Sequence, residues 1–292
     1  MVSPGSYALS AILLAIVALS VGFAAFRLRR HLLPSWNGAP ARLVELVLSV
    51  ALLVWLCELL GLFGVLYAAT LVVEAVLLAA AIVAWSIGAR PEGEDGAEAP
   101  PPPPAPSGMT YVAIAVVFVV FAHWGLFVKP ALDHGISNFD SLWSYMPFAA
   151  TMAQSHSVVA LHYTGTAFTN LNWLYPQNAE LFHATGILLT GRDTLSLFIN
   201  FGWLAFAFLA AWCIGRPYGR GPLTVIAAAV LLECNTLIVR APGTAKDDVM
   251  AAALLLGAIA ILLETWAQAR EAHGDRGQAL PLGWPLATSG LA

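Results

Sequence analysis

Seven stretches of this 292-residue chain carry almost no charge over the length of a membrane span: roughly 7–26, 43–60, 65–88, 110–128, 194–215, 221–239 and 248–268. A helix needs about 20 predominantly apolar residues to cross the hydrocarbon of a bilayer. Inside lipid, every backbone N–H and C=O must be satisfied within its own segment. Together these conditions predict an all-α fold, a polytopic transmembrane helical bundle of about seven spans. Only 10% of the residues are charged and 59% are hydrophobic, whereas a soluble domain carries about a quarter charged residues. The net charge of −4 lacks the basic face that a nucleic-acid partner requires.

Cys57, Cys213 and Cys234 fall inside apolar runs without metal-like spacing and read as small buried apolar residues. No Lys or Arg precedes the first run, and its basic cluster, Arg27, Arg29 and Arg30, follows it. That order suits a span with its N-terminus outside rather than a cleaved leader. Alternating the loops from there puts nine of the 13 Lys and Arg residues in the cytoplasm and leaves Lys129, Arg192, Arg240 and Lys246 outside. This bias matches the positive-inside rule and supports that orientation; the expected location is a bacterial plasma membrane, with the chain integral to it.

Three units follow. Residues 1–88 form a three-span unit, in which Gly61-Leu62-Phe63-Gly64 turns the second span into the third. Residues 89–108, with prolines at 100–104, form an extended cytoplasmic linker. Residues 109–292 form the rest, with a long outer loop at 129–193 that is too aromatic to be a mere connector. The apolar residues 280–292 look like the start of an eighth span, which predicts that this unit is incomplete.

Candidate chemistry gathers on the outer side. In the loop, Trp143, Met146, Ala150 and Ala153 recur at helical spacing, which predicts a surface helix with its apolar face on the membrane. A second helix is predicted from Glu180 to Leu189. Asp140 either caps the first of these helices or serves as a general base or metal ligand at the mouth of a span. Asp247 and Asp248 either favour a helix N-terminus or act with Arg240 and Lys246, whose charges suit a lipid phosphate. Glu58, Glu74, His123 and Glu233 lie within spans, where ionisable groups either hydrogen-bond between helices or face a polar cavity. His134, His156, His162 and His183 share the loop without metal-ligand spacing. Tyr163, Phe168, Trp173 and Tyr175 form an interfacial belt or a stacking surface for a sugar ring.

Asn138-Phe139-Asp140-Ser141-Leu142, followed by Tyr145 and Pro147, resembles the first outer loop of the GT-C membrane glycosyltransferases. So do Tyr175-Pro176-Gln177-Asn178-Ala179-Glu180-Leu181 and Gly191-Arg192-Asp193, and Lys246-Asp247-Asp248 looks like the family's second acidic motif. The similar branch holds the protein O-mannosyltransferases and the aminoarabinose transferases of lipid A, and the resemblance covers roughly 110–268. Three extra spans precede the loop here, where the simplest members have one. The resemblance implies transfer of a sugar from a polyprenyl-phosphate donor to a glycan, lipid or protein acceptor on the outer face. It implies Asp140 as catalytic base, supported by Asp247 or Asp248, and a possible divalent cation. Arg240 and Lys246 would contact the donor phosphate, and Tyr145, Tyr175, Asn178 and Glu180 would line the substrate site. The rival expectation is a non-catalytic membrane protein, or a transferase fragment, that binds lipid or partner proteins.

Overall fold

A computed structural model describes residues 4–88, 107–159 and 177–273, and all of its regular structure is helical. Most of the proline-rich linker, the stretch containing Tyr175, and the apolar residues 280–292 lie outside the described residues. The chain runs through α1 (Pro4–Leu32), α2 (Gly38–Leu62), α3 (Ala68–Gly88) and α4 (Ser107–His134). A π-helical turn (Ser141–Tyr145) leads into α5 (Met146–Ser155), and α6 is Asn178–Thr190. Then come α7 (Ser196–Gly215), a 3₁₀ turn (Arg216–Tyr218), α8 (Gly221–Leu232), α9 (Asn235–Arg240) and α10 (Asp248–His273).

Among the described residues six helices are long and apolar enough to cross a membrane: α1, α2, α3, α4, α7 and α10. The run at 221–239 differs from the single span its composition predicts. It divides at Glu233-Cys234 into a 12-residue α8 and a six-residue α9. Twelve residues rise only about 18 Å, short of the roughly 30 Å hydrocarbon thickness. The polar residues Glu233, Asn235 and Thr236 interrupt the apolar run, and Glu233 turns toward α4, where its carboxylate meets His123 Nδ1 at 2.5 Å.

Burial follows the same logic. Helices α2 and α7 sit at the centre, with Val44, Val47, Leu204 and Ala207 fully shielded, and α10 packs along α7. On α1, α3 and α4 many large apolar side chains point outward, Phe118 being 71% exposed. Such a surface would be unfavourable in water and suits contact with lipid. Contacts of α2 with α7 and α10, and of α6 with α1, α2 and α3, join the N-terminal helices to the rest through one apolar core.

Alternating helix directions gather the side chains at two ends. At one end Arg29 of α1 pairs with Glu45 of α2, Arg27 reaches Ser86 of α3, and Arg216 pairs with Glu264 of α10. At the other end, the α2–α3 turn carries the segment that follows α5. Val158 N donates to Gly61 O at 3.1 Å and Leu66 N donates to His156 O at 3.0 Å. A Cβ on Gly61 would lie 2.4 Å from Val158 Cγ1, so only glycine admits this approach.

The helix at 146–155 ends at Ser155 near its expected limit but uses a different face. Phe148, Ala149, Met152 and Ala153 are buried, and α5 packs on α6. Trp143 is exposed and stacks on Phe139 with ring centroids 5.4 Å apart. The partner of this apolar stripe is therefore another helix of the same chain, which spacing alone could not distinguish from a membrane surface.

Candidate functional site

The site is built where the start of the α5 segment meets the irregular residues between α9 and α10. Asn138 caps the incoming helix: its Oδ1 accepts from Ser141 N at 3.2 Å, and its carbonyl accepts from Leu142 N. Asp140 is therefore not the cap: its backbone is already helical and its carboxylate makes no cap hydrogen bond. The helix then takes one π turn, closed by Met146 N–H donating to Ser141 O. Such insertions often occur at functional sites. Across that turn, Ser141 Oγ accepts from Ala245 N at 3.0 Å and Tyr145 Oη donates to Asp247 Oδ1 at 2.8 Å.

Residues 241–247 are held from three directions. Buried Asn200 of α7 donates from Nδ2 to the carbonyls of Ala241 (2.9 Å) and Thr244 (3.2 Å). Ser141 holds the Ala245 amide. Against α4, Gly243 adopts φ +68°, and a Cβ there would lie 3.0 Å from Ala131 Cβ, so both conformation and space call for glycine. The result is a fixed Lys246, whose Nζ lies 2.6 Å from Asp140 Oδ2 and 3.9 Å from Asp248 Oδ2. The lysine side chain is only 11% exposed, whereas those of Asp140 and Asp248 are 48% and 56% exposed. One sheltered ammonium thus sits behind a rim of carboxylates open to the surroundings.

Beneath this rim, α6 contributes two polar groups that share a face because they are three residues apart. Glu180 is 6% exposed and His183 is 3% exposed. Burial pushes the Glu180 carboxyl up to about 7; its own backbone N–H offsets part of this and the Asp247 charge adds to it. Burial pushes His183 down to about 4, against a hydrogen bond with the Ala245 backbone and the attraction of Asp247. Tyr145 is held protonated by its partial burial and then by its bond to Asp247. Among the described residues Glu180 Oε2 and His183 Nδ1 are buried without a hydrogen-bond partner, so polar capacity remains at the floor of the site.

The structure therefore brings together Asp140, Tyr145, Glu180, Lys246, Asp247 and Asp248. Arg240 is exposed in the last turn of α9, and its side chain has no partner among the described residues. Asn178 is exposed at the first position of α6, and Tyr175 lies outside the described residues. His183, Ser141 and Asn200 join the site without having been singled out for it. The spacing of Glu180 and His183 on one predicted helix was the available signal for the first. The other two act through backbone groups, which leave no mark in the sequence.

The intramembrane candidates take separate places. His123 and Glu233 pair with each other, while Glu58 is exposed and Glu74 half-buried, neither with a side-chain partner among the described residues. Among the described residues no three His, Cys, Asp or Glu side chains form a group suited to hold a metal ion. No known family, curated protein or solved structure matches this chain.

Proposed function

We propose that this chain is an integral membrane glycosyltransferase that takes a sugar from a polyprenyl-phosphate donor and works at the extracytoplasmic face, its N-terminus outside. The observation that carries the reading is Lys246, a sheltered cation held between Asp140 and Asp248 from two distant parts of the chain. In this reading α8 and α9 together complete a seventh crossing, and residues 129–193 form the outer loop.

The donor phosphate replaces Asp140 on the Lys246 ammonium. Asp140, released and half exposed, accepts the proton of the acceptor hydroxyl. As the acceptor oxygen bonds to the sugar C1, the bond from C1 to the phosphate oxygen breaks, and its electron pair leaves with the phosphate. Lys246 stabilises the charge that develops there. The lipid tail stays in the bilayer throughout, which fits a site at the end of a helical bundle. Tyr145 positions Asp247, and protonated Glu180 supplies a donor toward the sugar.

One observation favours the non-catalytic rival: Asp140 and Lys246 already satisfy each other, as a purely structural pair would. The full-length protein in liposomes, given labelled polyprenyl-phosphate sugars and a membrane extract, separates the two. Transfer by the native chain and its loss in Asp140→Asn are expected. Near-normal turnover in that variant discards Asp140 as the base. Absence of transfer with every donor favours a binding protein.

A further inference from the structure

A crevice of about 260 Å³ opens where the N-terminal half of α1 meets the turn between α6 and α7. Its lining is polar on one side, with Arg192, Tyr7 and Ser10, and apolar further along α1 and α7, with Ala11, Leu14 and Phe198. Arg192 is pre-set in this position. Gly191 ends α6 in the left-handed conformation, and Thr190 Oγ1 bonds both the Gly186 carbonyl (2.7 Å) and the Arg192 carbonyl (2.9 Å). The guanidinium folds back over the Tyr7 ring, 5.5 Å from its centroid, and Nη1 donates to Tyr7 Oη at 3.0 Å. Among the described residues most of its five N–H donors are unused and Arg192 forms no ion pair.

We infer that this crevice binds a bilayer phospholipid with an anionic headgroup, its phosphate on Arg192 and the upper part of one acyl chain against Ala11, Leu14 and Phe198. Three features select this occupant. A guanidinium matches phosphate geometry through paired hydrogen bonds. The lining changes from polar to apolar within about two turns of α1, as a headgroup region passes into hydrocarbon. The crevice also lies at the terminus of helices long and apolar enough to span, which sets Arg192 at the depth of lipid phosphates. A free anion would have no use for the apolar lining, and a neutral lipid tail none for the fixed cation. This inference rests on reading the helices as spans and is independent of the transferase reading.

The test uses the full chain, purified in detergent, stripped of lipid and titrated with phosphatidylglycerol or phosphatidylcholine while bound lipids are counted by native mass spectrometry. One phosphatidylglycerol is expected to bind tighter than the rest and tighter than phosphatidylcholine. Arg192→Ala should weaken that step about fivefold, the contribution of one basic residue near an anionic lipid surface. Ala11→Phe, which fills the apolar part of the crevice from an exposed position, should lower binding with the charge intact, and a native elution profile for each variant reports folding. Equal binding of the two lipids, or no change in Arg192→Ala, overturns the inference. Displacement of the lipid by millimolar inorganic phosphate overturns it as well, since the site would then recognise the anion alone.

Discussion

The two ends of the helical bundle use charge in opposite ways. At the α1–α2 end, Glu45 receives Arg29 through two nitrogens (2.8 and 3.0 Å), Arg42 meets its other oxygen, and a third Arg29 nitrogen holds the Trp36 carbonyl. The side chains of Arg29 and Glu45 are only 6% and 11% exposed, and cations outnumber the carboxylate. At the site end, one ammonium faces two aspartates, each about half exposed, a third, Asp247, takes Tyr145, and the buried Glu180 nearby has an oxygen with no partner among the described residues. A closed, saturated cluster fastens helices to one another. An open cluster with too few cations and spare hydrogen-bonding capacity is arranged to exchange partners.

The contrast can be broken most directly with Asp140→Asn. If the site end is the working end, transfer falls on the order of 10²–10⁴-fold, the usual contribution of a general base. Its thermal unfolding in detergent shifts by no more than about 1 kcal/mol, because Asp140 is itself half exposed and Asp248 remains beside Lys246. Arg29→Met should do the reverse, since it leaves Glu45 buried without its main partner. A loss of about 3–5 kcal/mol is expected, with the turnover of whatever protein folds unchanged. Equal effects of the two substitutions on both measurements would erase the distinction.

Proton linkage sharpens the comparison further. Folded Glu180 keeps its proton up to about pH 7, whereas the unfolded chain releases it near 4.5. Its contribution to stability therefore falls as pH rises through that window and is least favourable above about 7. His183 acts in the opposite sense: its pKa falls from 6.5 to about 4, so stability is lost as pH drops between those values. Glu180→Gln should stabilise the protein by about 1–3 kcal/mol near pH 8 and by little near pH 4.5, as read from unfolding midpoints across that range. Tyr145→Phe should have the smallest effect, about 0.5–1.5 kcal/mol for one hydrogen bond. A double-mutant cycle with Asp247→Asn measures whether that energy belongs to the Tyr145–Asp247 contact.

The helical class was legible because lipid compatibility imposes long apolar runs that composition cannot disguise. Six of the seven runs give helices of spanning length. The break at Glu233-Cys234 was obscured because Cys234 and the residues after Asn235 and Thr236 restore the apolar average. Asp140 and the Asp247–Asp248 pair could be singled out because carboxylates at helix ends are sparse in so apolar a chain. What joins them could only be guessed, since a Lys246 between them depends on how residues 241–247 fold back. The Arg29–Glu45 and Arg216–Glu264 pairs escaped the sequence for the same reason. Each partner looks like an ordinary loop or span-end charge until the helices are packed.

Asn200 touches none of the charged groups, yet its amide ties down two carbonyls of the segment that carries Lys246. If the transferase reading holds, a random-mutagenesis search for loss of transfer would recover Asn200 and Gly243 substitutions beside the acidic ones. Such hits would map the mount on which the charged groups are set, and adding donor at high concentration would rescue none of them.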